Sequence, residues 1–368
     1  MSVPLFFVLL LFQIALGAED CPREEALSRL QALLERHYLW WDRIKDISWK
    51  DEKELLEQLR KIGDRWTAIT KQEEDRLWYS SSKMVGLGIR WDEKGYVTKV
   101  FKDSPAEMYG IREGDLIVAI QDVTDKNQWR KVIREAGHGA YLRIELIRDG
   151  LFMRVDVKKG EFHVPAVEEV RVIRNGNRTI GYVKLTNFTN PALQGFREAM
   201  ELFKAENVEV LLIDLRDNGG GLISVAKGIA DMLIGGDGVM FYLEGRGRNL
   251  GVYPFKNREG FNKPIVVIVN KHTASAAELI TSLLRYYSKA VVVGENTVGK
   301  YVGSNMYSFD ACGNMLRLVT FEMKLPNGET ITTEKGINPD CKLQGDPIDA
   351  SLACMSIRVP AGLPTGQP

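Results

Sequence analysis

Three runs constrain this chain more than anything else in it: VEVLLIDLR at 208–216, PIVVIVN at 264–270 and AVVVGE at 290–295. Each is apolar on successive residues, not on alternate ones. A strand with one wet face alternates, so an unbroken apolar strand needs cover on both faces. Helix-length patterns stand between and before these runs: PALQGFREAMELFKAE, LISVAKGIADMLI and ASAAELITSLLRYY. From 161 to 345 strand and helix alternate, which predicts an α/β fold with a largely parallel sheet covered on both faces.

The rest of the chain reads differently. Residues 22–80 carry apolar residues at helical spacing, as in ALSRLQALLERHYLWW and KELLEQLRKI. Between 84 and 158 come short β-like runs, MVGLGIRW, YVTKVF, DLIVAI and LRIELIRD. Among them SPAEMYG predicts a short helix, capped by Ser104 with Pro105 at its first position, and 126–136 predicts a second. The Pro/Gly-containing tail after 345 is expected to be loosely ordered. The N-terminus, MSVPLFFVLLLFQIALGAED, reads as a signal peptide over 1–18. Its apolar stretch is shorter than the ~20 residues a membrane span needs, although an uncleaved anchor is the alternative reading. The expected segments are 1–18, 19–82 (helical), 83–160 (compact β-rich module), 161–345 (core) and 346–368 (tail).

Composition excludes some functions. Lys plus Arg total 49 and Asp plus Glu total 49, so no basic field is available for nucleic acid. The four cysteines, Cys21, Cys312, Cys341 and Cys354, match no zinc spacing, and no metal or other cofactor is expected. Three full disulfide pairings are open to them. Cys341 and Cys354 are close enough in sequence to staple the tail, and small apolar fillers are the competing reading.

In open α/β sheets ligands sit beyond the carboxyl ends of the strands. Three strand ends here carry unusual residues. Asp214 to Gly221 ends in three glycines, whose backbone can approach a ligand closely and supply an oxyanion donor. Ser275 follows PIVVIVN and opens a helix, a place that suits either a cap or a nucleophile facing helix-end N–H groups. Lys300 closes GENTVGK; a lysine is normally a solvated charge, but burial lowers its pKa enough for it to serve as a base. His272 lies near Ser275 in sequence, with no acid in view to orient it.

Taken together these motifs resemble the carboxyl-terminal processing peptidases, or tail-specific proteases. Gly86-Leu87-Gly88-Ile89 resembles the carboxylate-binding loop of a PDZ domain, and Ser104-Pro105-Ala106 with Gly110 to Asp115 resembles its next signature. Asp214 to Gly221 resembles the core's glycine turn, Thr273 to Glu278 the nucleophile motif, and Gly294 to Lys300 the motif of the lysine base. Pro326-Asn327-Gly328 and Gly336 to Asp340 resemble the closing hairpin. The resemblance implies a ClpP/crotonase-like mixed sheet with helices, an N-terminal helical segment and an inserted PDZ domain.

It also implies roles. Ser275 would be the nucleophile and Lys300 the general base. The N–H of Ala276, with that of Gly220 or Gly221, would form the oxyanion hole. Glu278 would be an acid near the dyad, or else a solvated helix carboxylate. Gly86, Leu87, Gly88 and Ile89 would bind the substrate's terminal carboxylate. One position departs from the family: four residues after its lysine it commonly has a glutamine that holds the amine, and here Ser304 stands there, with Asn305 next. The implied function is a serine endopeptidase acting on proteins or peptides with a free apolar C-terminus, exported to the periplasm or outside the cell. The alternative is a weak or inactive peptide or apolar-ligand binding protein of the same fold.

Overall fold

The computed structural model describes residues 22–358. The expected signal peptide, the reading of Cys21 and the end of the tail lie outside the described residues. The chain divides into two units, one of residues up to 72 with 305–318, the other of 73–304 with 319 onward.

In the first unit, helices Arg23–His37 and Glu52–Lys61 bury Leu30, Leu34, Leu55 and Leu59. Asp51 caps the second by accepting the Glu54 N–H at 2.8 Å. Helix is not continuous here: Ala68–Lys71 is a strand, antiparallel to residues 314–317.

The second unit holds the sheet that the apolar runs predict. Its strands are β1 (Val167–Asn175), β2 (Arg178–Leu185), β3 (Val210–Asp214), β4 (Ile265–Val269), β5 (Val291–Gly294) and β6 (Cys341–Lys342). They lie side by side in chain order, parallel from β2 to β6, with β1 antiparallel to β2. Strands β3, β4 and β5 are buried at every residue. The connecting helices are α1 (Asn190–Ala205), α2 (Ile223–Leu233) and α3 (Ala276–Ser288).

An unreversed strand order joined by crossovers of one hand puts every crossover helix on the same face. Phe196, Ile229 and Leu283 from those helices accordingly share one cluster with Val183, Ile213 and Val267. The opposite face, Tyr182, Leu212, Val266 and Val293, needs another cover. It gets α4 (Pro347–Arg358), through Ile348, Leu352, Cys354 and Met355. The expectation of a loose tail is therefore corrected: its first half is a helix, ordered because half of the sheet's apolar surface depends on it. A Cys341–Cys354 disulfide fastens that helix to β6, so these cysteines are bonded rather than fillers.

Within the same unit, residues 83–163 form a module with its own core of Leu87, Ile117, Ile144 and Trp129. Its strands pair in three small sheets, and its two helices, Pro105–Met108 and Lys126–Glu135, fall where the sequence predicts them. Ser104 caps the first, accepting from the Glu107 N–H at 3.3 Å.

Candidate active site

The three marked loops follow adjacent parallel strands, β3, β4 and β5, so the topology brings them to one rim of the sheet. The Ser275 loop lies against the glycine turn. A Cβ built on Gly220 would come within 2.8 Å of the Ser275 Cβ and 2.9 Å of the Ala276 nitrogen, and Gly220 has a φ of +96°. Only glycine fits there on both counts.

Polar side chains zip the two loops together. The Asn270 amide donates to Asp217 Oδ1 at 3.0 Å, while Asn270 Oδ1 accepts the Asp217 N–H at 3.0 Å. Thr273 donates its hydroxyl to the Leu215 carbonyl at 2.8 Å, and the Ala274 N–H donates to the Asn218 carbonyl at 3.0 Å. The base of the glycine turn is tied down by Asp214, which is fully buried and accepts from Tyr182 Oη at 2.8 Å and from the Arg216 guanidinium at 2.5 Å. Burial, and then the neighbouring Asp214, push the Tyr182 phenol up, so it stays a donor.

Ser275 itself has φ +57° with ψ −119°, a sparsely populated conformation that costs a non-glycine residue of order 1 kcal/mol or more. Two features permit it. Its neighbours are alanines, and its N–H is held by Glu278 Oε2 at 2.8 Å.

The sequence leaves two readings of Glu278, an acid near the dyad and a solvated helix carboxylate. It is fully buried, which removes the reading of a solvated helix carboxylate. Oε2 also accepts the Lys300 N–H at 2.8 Å, and Oε1 accepts the Gly299 N–H at 2.7 Å and the Thr297 hydroxyl at 2.5 Å. One oxygen thus takes the backbone N–H of both Ser275 and Lys300, so those nitrogens lie no farther apart than two hydrogen bonds laid end to end. The lysine loop is further held by the Val298 N–H on the Thr273 carbonyl at 3.0 Å and by the Ile337 N–H on Thr297 Oγ1 at 2.7 Å. Gly299 and Gly336 are needed for that closeness: a Cβ on either would sit 2.4 Å or less from a backbone oxygen.

The sequence leaves Gly220 and Gly221 as equal oxyanion candidates; their hydrogen bonds separate them. The Gly220 N–H is taken by Asn218 Oδ1 at 2.9 Å. The Phe188 N–H donates to the Gly220 carbonyl and the Leu222 N–H to the Phe188 carbonyl, so these bonds flank Gly221 and turn its own N–H to the other side. Among the described residues no acceptor takes the N–H of Gly221 or of Ala276. Ser304 is corrected as a holder of the lysine amine: its hydroxyl is buried with no hydrogen-bond partner among the described residues. His272 is exposed.

In the 83–163 module, Gly88 has φ +78°, and a Cβ there would lie 2.2 Å from that of Ser104. The carbonyls of Leu87 and Gly88 accept the N–H groups of Ala106 and Phe101 at 2.8 and 2.9 Å. Their own N–H groups have no acceptor among the described residues. Ile89 begins the strand that follows.

Sequence reasoning missed Asn218, Asn270 and Thr297. Their loop positions gave no periodic signal. Glu278 was named, and its bond to the Ser275 N–H was also within reach, because Ser275-Ala276-Ala277-Glu278 fits the Ser-x-x-Glu pattern of a capping box, in which the acid folds back on the cap. Among the described residues no cluster of His, Cys, Asp or Glu could hold a metal, and no helix is long and apolar enough to cross a membrane.

Residues 179–343 match peptidase family S41. A CtpA-like serine protease of Staphylococcus saprophyticus is 26% identical over 299 residues, covering 78% of this chain and 59% of that protein. The carboxy-terminal processing protease CtpA of Bacillus subtilis is 25% identical over 295 residues, covering 78% and 62%. The chain thus matches less than two thirds of the length of these curated relatives. Among solved structures, the photosystem II D1 C-terminal processing protease aligns with a TM-score of 0.60 at 20% identity, over 92% of this chain and 98% of that one. Mature CPAF aligns with a TM-score of 0.55 at 14% identity, over 92% and 98%. At such identities the structural likeness is one of fold. Over residues 179–343 the chain matches peptidase family S41, and it is similar to the carboxyl-terminal processing proteases.

Proposed function

We propose that this chain is a serine endopeptidase in which Ser275 attacks the scissile carbonyl and Lys300 takes its proton. The observation that carries the reading is the shared carboxylate oxygen of Glu278, which accepts at 2.8 Å from the backbone N–H of each of these two residues. A purely structural cap on α3 has no need of a lysine loop fastened to the same atom.

The chemistry follows from that pairing. Neutral Lys300 accepts the hydroxyl proton as Ser275 Oγ bonds to the carbonyl carbon. The N–H groups of Gly221 and Ala276 receive the developing oxyanion. Lys300 then passes its proton to the leaving amine, and the acyl-enzyme is released by water, activated by the same amine. Lysine has an ordinary pKa near 10.4, so the rate should rise with pH as the amine loses its proton.

The module at 83–163 is read as a PDZ domain that captures the substrate's terminal carboxylate on the N–H groups of Leu87 and Gly88. Their lack of acceptors among the described residues supports this. Substrates are then proteins or peptides with free, apolar C-termini. Export, through the apolar N-terminus, is part of the same proposal. The competing reading, a ligand-binding relative without catalysis, draws support from Ser304, whose hydroxyl has no hydrogen-bond partner among the described residues to steady an amine.

The test is cleavage of an unstructured peptide ending in apolar residues, offered as the free acid and as the C-terminal amide. The expected result is turnover of the acid and a rise in KM for the amide. Equal turnover of both would remove the carboxylate-capture role, and binding without turnover would favour the competing reading.

A further inference from the structure

Three successive glycines, Gly219 to Gly221, do not hold one backbone conformation by themselves, because each has the widest choice of φ and ψ. An oxyanion donor must nevertheless be fixed before the reaction, or reorienting it consumes the stabilisation it provides. Something outside the glycines has to set them. We infer that Asn218 is the positioning residue of the oxyanion hole. The inference rests on the serine peptidase reading above.

Asn218 is fully buried, and each of its polar atoms is engaged. Its amide nitrogen donates to the Leu185 carbonyl at 2.9 Å, anchoring the side chain to the end of β2. Its amide oxygen accepts the Gly220 N–H at 2.9 Å, two residues on, an Asx turn. Its own N–H donates to the Leu215 carbonyl at 3.2 Å, and its carbonyl accepts the Ala274 N–H at 3.0 Å.

Two consequences follow. Committing the Gly220 N–H inward fixes the peptide plane before Gly220. The Gly220 carbonyl then meets the Phe188 N–H at 3.0 Å, and the Gly221 N–H is left facing the other way. The bond to Ala274 fixes the nucleophile loop two residues before Ala276, the second donor. One side chain and its own backbone therefore set both donors relative to each other, without touching substrate.

Three measurements test this, using the mature chain and a peptide boronate that forms a tetrahedral adduct on serine. In the wild type, amide exchange at Gly220 should be slow with or without boronate, while Gly221 should become protected only in the adduct. Asn218→Ala should lower kcat by about 10²-fold, the loss typical of one oxyanion donor, with KM little changed. Its boronate affinity should fall by a similar factor, while binding of a substrate peptide in a Ser275→Ala background stays the same. Asn218→Asp keeps an acceptor for the Gly220 N–H and should regain part of the loss.

Protection that changes at Gly220 instead of Gly221 would overturn the inference, and this needs no variant to fold. So would a folded Asn218→Ala enzyme with wild-type kcat, or one whose kcat falls while boronate affinity does not. If the wild type neither hydrolyses peptide nor forms the adduct, the peptidase reading fails first, and the inference with it.

Discussion

Replacing Glu278 with glutamine keeps its volume and removes one acceptor atom. In the wild type two carboxylate oxygens take four donors, from Ser275, Thr297, Gly299 and Lys300. Glutamine offers one oxygen. If that oxygen keeps Ser275 and Lys300, the new amide group faces the Gly299 N–H, 2.7 Å from the atom it replaces, and the Thr297 hydroxyl, 2.5 Å away. The Gly299 N–H then meets another donor in a fully buried place, and the Thr297 hydroxyl, which can turn to accept from the amide, loses its charged acceptor. Hydrogen bonds to a charged group contribute about 1.5–3 kcal/mol each, so losing two costs roughly 3–6 kcal/mol. For a unit of this size a kilocalorie shifts Tm by roughly 2–4 °C, which predicts a fall on the order of 10 °C. Activity should fall further than stability explains. With the clasp gone the lysine loop no longer has a fixed place beside Ser275, and a displacement of about 1 Å is enough for a loss of about 10²-fold in kcat/KM. Calorimetry and peptide turnover, measured well below Tm, read the two effects separately. A Glu278→Gln enzyme melting within about 2 °C of wild type with full activity would refute the clasp.

Other expectations rest on separate parts of the structure. Gly220→Ala should reduce peptide turnover by about 10²-fold or more, because its Cβ would press on Ser275 and Ala276; Gly219→Ala, where nothing lies within 4 Å, should not. Replacing both Cys341 and Cys354 with serine should lower stability by about 2–4 kcal/mol in urea unfolding and free α4 first, read as faster amide exchange there. Asp115 supplies a pH test: burial would raise its pKa, but bonds from the Arg148 side chain and the Arg112 N–H outweigh that and hold it low. A folded-state pKa below the unfolded value, about 3.9, gives stability that is complete above that value and lost as pH falls through the folded one. The 83–163 module, followed by Trp129 fluorescence, should therefore weaken in acid, and Arg148→Ala should flatten that dependence while costing about 3 kcal/mol near neutrality.

The apolar runs alone carried most of the architecture. Unbroken Val and Ile in β3, β4 and β5 required a two-faced burial, and the strand–helix alternation required parallel pairing. What they did not carry was which face each helix covers. The chain-order sheet places three helices together, and the second cover came from residues 347–358. There Ile348, Leu352 and Met355 already have helical spacing, hidden by the Pro/Gly-rich composition around them. The site was legible as three loops with unusual residues, because glycine, serine and lysine at strand ends are individually visible. Its internal bonds were not. Asn218 and Glu278 act through partners distant in sequence, and an acid on a helix reads by default as solvated. The choice between Gly220 and Gly221 likewise needed a hydrogen bond that no pattern of residues encodes.

The most direct test of the Ser275–Lys300 pairing is the rate at which a fluorophosphonate labels the protein between pH 6 and 10, with the modified residue located by mass spectrometry. The account predicts a single adduct on Ser275, forming faster as pH rises along one titration, and lost in both Ser275→Ala and Lys300→Ala. Labelling that persists in Ser275→Ala, or that proceeds in Lys300→Ala at the wild-type rate, would contradict it.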